Sequence, residues 1–274
     1  MDGWDKQGAV SMNQMIRINN TISSCCIQAF SGIAFLLAIV GMCMALCFGG
    51  FQDCMTGIQN LEKGLLENGF HYQLFQKVLV SDVVCLALPI LCAFPFTASF
   101  LDDMESGFIK AYLHRSGRGH YIAGKVIACG LSGGLVPAAG TGLYYGVLLL
   151  IFLPMEKAAA FGAVQENHAP DVLNACVLFF CAGMLFSLIG MLCSVVTASK
   201  YMAYASPFVF YYVLIILHDR YLKELYILNP REWISPTDTL WVWGIWGSVF
   251  WMAELIFLVI VVLSILMYRR IEEI

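Results

Sequence analysis

Charge is what this chain lacks. Only 12% of its 274 residues are Asp, Glu, Lys or Arg, against about 25% in an ordinary soluble domain. The deficit is concentrated in stretches of roughly 20 residues, the length a helix needs to cross about 30 Å of hydrocarbon. That excludes a soluble enzyme. It predicts an all-α integral membrane protein in which the bilayer replaces a self-contained core. Runs of Lys or Arg are also missing and the net charge is only -4, so no face neutralises phosphates and no nucleic-acid partner is expected. Eleven cysteines are present, yet there is no CxxC pair and no Cys/His spacing suited to zinc. Most of them, such as Cys85, Cys92, Cys129 and Cys181, lie in apolar runs, where a thiol packs as a small hydrophobe. The chain has no HExxH, no GxSxG and no paired intramembrane carboxylates, and His71, His114, His120, His168 and His218 scatter over predicted loops. A cleavable signal peptide is absent too, so the first span is expected to act as its own insertion signal. Internal repeats and low-complexity segments are missing.

What is present is a series of apolar tracts. Six spans are predicted: Ser31 to Phe51, Val78 to Phe100, Tyr121 to Leu153, Val172 to Ser199, Met202 to Leu217 and Leu240 to Tyr268. Pro89 and Pro95 in the second and Pro137 in the third remove backbone donors and predict bends. Before the first span, Met12, Met15, Ile18, Ile22 and Cys26 recur at helical spacing, with Asn13, Arg17, Asn20, Ser24 and Gln28 opposite. This predicts an amphipathic interfacial helix. The chain thus divides into residues 1–30, the N-terminal helix, and residues 31–274, one membrane domain.

Orientation follows the basic residues. With the N-terminus inside, nine Lys and Arg fall on the inner side and six on the outer, and Arg115, Arg118, Lys125, Lys200, Arg269 and Arg270 cluster at inner span ends. Both termini are expected in the cytoplasm. Trp233, Trp241, Trp243 and Trp246 gather at one outer boundary as an aromatic belt.

Four features bear on chemistry. The inner loop 101–119 carries Asp102, Asp103 and Glu105 at its start and Lys110, His114, Arg115 and Arg118 toward its end, an order that complements a helix dipole. Gly117 and Gly119 would end that helix. It reads equally as a capped surface helix or as a docking element for a cytoplasmic partner. The stretch Gly119 to Lys125 has phosphate-loop spacing, but Val126 stands where Ser or Thr should hold magnesium, so nucleotide binding is not expected there. Glu254 is the one carboxylate well inside a span, and such groups usually face the protein interior. It suits either structural hydrogen bonding or substrate or proton handling. Phe35 and Met42 share a face of the first span, and Tyr204, Phe208 and Tyr211 share a face of the fifth. These are packing stripes, or a wall for an apolar substrate.

The residues Glu105, Gly107, Lys110, Arg115, Tyr121 and Lys125, within ESGFIKAYLHRSGRGHYIAGK, resemble the second inner loop of type-two ATP-binding cassette exporters. The likeness is to the small bacterial permease subunits made separately from their ATPase. Six spans, an interfacial N-terminal helix and a long last outer connection fit the same family. The resemblance implies a permease in the bacterial plasma membrane that pairs with itself or a related permease. It would dock cytoplasmic ATPase subunits through a coupling helix at 101–119. ATP and Mg would be bound by the partner, with no cofactor in this chain. The resemblance also implies export of an apolar or amphipathic peptide, drug or lipid along a path between protomers, lined partly by the first, second and fifth spans. An integral membrane enzyme or an ion-coupled carrier are the competing classes. The first would need a reactive cluster near an interface. The second would need more buried charge than Glu254 supplies.

Overall fold

A computed structural model describes residues 21–62, 69–159, 168–236, 241 and 243–273, without the side chains of 60–62, 111, 114–116, 155 and 157–159. Among these residues the regular structure is entirely helical. The elements in order are α1 (Thr21–Phe30), α2 (Ile33–Gly49), α3 (Phe51–Glu62), α4 (Phe70–Leu79), α5 (Asp82–Ala93), α6 (Ser99–Glu105), α7 (Phe108–Ser116), α8 (Arg118–Ala159), α9 (Ala169–Thr197), α10 (Lys200–Arg220), a 3-10 turn (Tyr226–Leu228), α11 (Pro230–Ile234) and α12 (Ile245–Glu272).

Four helices, α8, α9, α10 and α12, are each long and apolar enough to cross a membrane unaided. The first expected span holds one helix, α2, whereas the second is broken into the end of α4, α5, a turn at 94–98 and the start of α6. The chain bends by 52° between α1 and α2 and by 62° between α4 and α5. At 1.5 Å per residue, the 12 residues of α5 rise only about 18 Å, short of a bilayer. Either bent pair completes a fifth or sixth span, or dips and returns. Pro89 sits inside α5, but the sharp break falls earlier, at Val80 and Ser81. Pro137 also lies within a continuous helix, α8.

Helix α9 is the hub. It packs on α8, α12, α10 and α5, and 61% of its apolar window is buried, against 17% for α12. Its closest neighbour is α8, and glycine explains how close. A Cβ on Gly133 would collide with the Ser187 side chain, and one on Gly183 would lie 2.5 Å from Pro137 Cγ and 2.6 Å from the Gly133 carbonyl. The absence of side chains brings the backbones together, as is common between helices in lipid. Ser187 Oγ then donates to the Cys129 carbonyl across the contact, at 3.2 Å.

The outward faces stay apolar. Ile33, Leu37, Val40, Met44 and Phe48 of α2 and Phe250, Phe257 and Ile265 of α12 are all more than half exposed. An apolar surface that broad suits lipid rather than water, and several such long helices are what a multi-pass membrane protein presents.

The last connection folds back on the bundle. Trp233 is buried, donating Nε1–H to the Ile227 carbonyl at 2.7 Å, and Ser248 Oγ donates to the Trp233 carbonyl at 2.9 Å. Trp241 is buried as well, so only Trp243 and Trp246 of the expected aromatic belt face outward. The first 20 residues, which carry most of the expected amphipathic helix, lie outside the described residues; its continuation α1 is helical.

Candidate functional site

The segment expected as one helix at 101–119 is two. Helix α6 ends at Glu105 and α7 begins at Phe108, with Gly107 between them at φ 70°. This is the left-handed region, which a side chain makes costly and glycine occupies freely. Gly117, at φ 82°, ends α7 as expected, but Gly119 belongs to α8. The result is a short two-helix unit with a glycine joint at its middle and another at its exit.

Acidic residues on α6 tie this unit to the spans. Asp102 and Asp103 are adjacent, so they project about 100° apart around the helix and reach different partners. Asp102 Oδ1 lies 2.6 Å from Lys200 Nζ, and Glu105 Oε2 lies 2.8 Å from the same ammonium. Lys200 begins α10, directly after the turn from α9. Asp103 points inward instead. Its Oδ2 is 2.8 Å from Lys125 Nζ and accepts the Tyr121 hydroxyl at 2.7 Å, both from α8.

This second cluster is buried. Lys125 is 1% exposed and Asp103 8%. Lys125, which the sequence placed at an inner span end, is thus enclosed by the helices rather than open to solvent. Its ammonium also lies 4.8 Å from the Phe96 ring centroid, a favourable cation–π approach. On the other side, α1 closes over the cluster: a Cβ on Gly124 would lie 3.3 Å from Cys25 Sγ. A buried charge is tolerated only when paired, so this arrangement fixes α6 against α8.

The other expected site residues divide. Arg118 ties α8 to α12, 3.4 Å from Glu272 and 5.9 Å above the Tyr268 ring. Gly107 and Lys110 are exposed, as is Phe108, which stacks on Tyr112. Ile109 is buried and anchors α7. The side chains of His114 and Arg115 lie outside the described residues. The unit thus has one face bonded to the bundle and one free.

Of the candidate substrate-path residues, Met42 and Tyr211 are buried inside the helix bundle, the latter edge-on to Phe186 at 5.8 Å. Phe35 and Phe208 are half-buried. Tyr204 is 38% exposed and sits against Phe94, with ring centroids 5.8 Å apart. The stripes lie on the side formed by α2, α5 and α10, where α5 packs against both others. Glu254 does not face the interior: it is exposed on the outward side of α12.

One cluster was not foreseen. Glu156, buried near the end of α8, accepts from the backbone N–H of His71 at 2.7 Å and of Gly69 at 3.3 Å, and lies 2.8 Å from His71 Nδ1. It caps the start of α4 and offsets the positive end of its dipole. His168 stacks on Tyr72 beside it, centroids 4.0 Å apart. The carboxylate is fully used in this cap, and no group of three or more metal-binding side chains forms among the described residues. The cluster clamps α4 to α8. His71 and Glu156 stand 85 residues apart, and no local pattern joins them.

No family model, curated protein or solved structure matches this chain.

Proposed function

We propose that this chain is the permease subunit of an ATP-driven exporter of the type-two ATP-binding cassette kind, working with a separate ATPase and with a second permease. The observation that carries this reading is the way α6 and α7 are held. Asp102 and Glu105 grip Lys200 at the α9–α10 turn, and Asp103 grips Lys125 and Tyr121 of α8. A push on α6 would therefore reach the ends of three spans at once, whereas a loose loop would absorb it.

In this reading Asp102, Asp103 and Arg118 face the bundle and transmit. Lys110, Gly107 and Phe108 form the side offered to the ATPase. ATP and Mg belong to that partner. An apolar or amphipathic substrate would travel along the α2, α5 and α10 side, past Phe35, Tyr204 and Phe208. Both termini and α6–α7 would lie in the cytoplasm of a bacterial cell, with the clamp at Glu156 outside. The outward position of Glu254 disfavours an ion-coupled carrier, since it supplies no charge to a route through the protomer.

The test is purification after co-expression with the ATPase encoded by a neighbouring reading frame. Co-isolation that a Lys110→Glu substitution weakens supports the proposal, as does ATP-dependent substrate movement in inside-out vesicles. Normal movement without ATP would end it.

A further inference from the structure

The outward face of α12 has an inconsistency that lipid alone does not resolve. Its inward residues, Ser248, Met252, Ile256, Val259, Leu263, Met267 and Ile271, recur at three- and four-residue steps and bury against α9 and α8. The opposite stripe is Trp246, Phe250, Glu254, Phe257, Val261 and Ile265, all exposed. Glu254 is the one charged residue between Ile245 and Tyr268, and among the described residues no hydrogen bond or ion pair engages it. It stands eight residues beyond the exposed Trp246, about 12 Å along the axis. With tryptophan at the headgroup level and a hydrocarbon layer of about 30 Å, the carboxyl lies near the middle of the bilayer. That is the most costly depth for an ionisable group facing lipid.

We infer that this face of α12 is where a second copy of the chain packs, with the two Glu254 carboxyls meeting at the two-fold axis. The chemistry selects that occupant. In an isologous contact a residue on the axis meets itself, and two carboxyls, each donating its own O–H to the other's carbonyl oxygen, satisfy each other without leaving a charge in the hydrocarbon. A foreign helix would have to bring its own polar group to the same depth, whereas a second copy brings it by symmetry. Ala253, exposed beside Glu254, lets the backbones approach. The aromatic rings of Phe250 and Phe257 flank the carboxyl and shield it from lipid. The inference rests on α12 alone and not on the transport reading. It leaves the α2, α5 and α10 side uncovered, so it moves the pairing surface away from the substrate path.

The experiment places p-benzoylphenylalanine at Phe250 or Phe257 of α12, and at Phe48 of α2 or Val209 of α10 for contrast, in the full chain in bacterial membranes. After irradiation, adducts are identified by mass spectrometry. Chain-to-chain adducts from Phe250 and Phe257, and not from Phe48 or Val209, are expected. Their yield should fall roughly five- to ten-fold in Glu254→Leu and persist in Glu254→Gln, since an amide still donates and accepts. Leucine favours insertion, so reduced yield at equal membrane abundance reports contact rather than misfolding. Adducts from α12 to lipid only, or to a different protein, overturn the inference, as does an unchanged yield in Glu254→Leu. Self-adducts from Phe48 or Val209 alone overturn it while leaving a paired permease intact. Self-adducts through α12 without any co-isolated ATPase uphold it while removing the transport reading.

Discussion

Replacing Lys125 by Met removes the charge that balances Asp103 in a buried site. The geometry sets the size of the effect. The pair is 2.8 Å apart with side chains 1% and 11% exposed, so water cannot move in to solvate the orphaned carboxylate. Breaking such a pair costs about 3–5 kcal/mol, whereas replacing both partners by apolar groups of similar size is often close to neutral. Lys125→Met and Asp103→Leu should therefore each lower stability by about 3–5 kcal/mol. The double variant should lose much less than their sum, giving a coupling of at least about 2 kcal/mol. Tyr121→Phe should cost about 1.5–3 kcal/mol, because its hydroxyl donates to a charged acceptor. The assay is reversible unfolding in mixed micelles of dodecyl sulfate and a mild detergent, followed by tryptophan fluorescence. Lys200→Met serves as the contrast: its partners Asp102 and Glu105 are largely exposed, so its stability should match the parent. Additive losses for Lys125 and Asp103 would refute the idea that a buried charge pair holds α6 to α8.

Further outcomes follow from other parts of the molecule. Gly107→Ala should cost about 1–2 kcal/mol, because alanine must adopt φ 70°, and it should loosen coupling between ATP hydrolysis and transport more than it lowers abundance. Gly133→Val puts methyl groups where Ser187 already stands; overpacking of about 1–3 kcal/mol or more should appear as loss of the folded species on size-exclusion chromatography. Glu156→Gln should detach the start of α4, read as faster amide exchange at His71, whose N–H it accepts at 2.7 Å; unchanged exchange would remove the clamp. Burial, and secondarily the charge of Asp53, raises the Cys54 thiol above its usual range. Less thiolate is then present near pH 8 than in a free cysteine. Alkylation of Cys54 should be slow there, accelerate as pH rises, and be faster at pH 8 in Asp53→Asn.

The apolar tracts were legible because lipid imposes a length and a lack of charge that no other environment demands. The core helices α8, α9, α10 and α12 follow the expected limits within several residues for that reason. The bends were legible in part. Pro95 lies in the turn at 94–98 that ends α5, but Pro89 and Pro137 lie inside helices, and the sharp bends fall at Gly32 and at Ser81, where packing decides and hydropathy is silent. The break at Gly107 had a visible signal, yet the order of charges from Asp102 to Arg118 suggested one continuous dipole. Asp103 illustrates a different limit. Its meaning depends on Lys125, 22 positions away, and a charged loop residue looks the same whether it faces water or a buried ammonium. Glu254 shows the converse: periodicity marks the stripe it belongs to, but only the packing of α12 on α9 decides that the stripe points outward. Trp233 and Trp241 went inward because the last connection folds onto the bundle, a tertiary fact absent from their local sequence.

The most direct test of the transport reading is a photocrosslinker in place of Lys110, on the free side of α7, in cells expressing the full chain at native levels. The account predicts an adduct with a cytoplasmic ATP-binding protein, increased when ATP is trapped in that partner by vanadate. An adduct with an extracellular component, or with none at any nucleotide state, would contradict it.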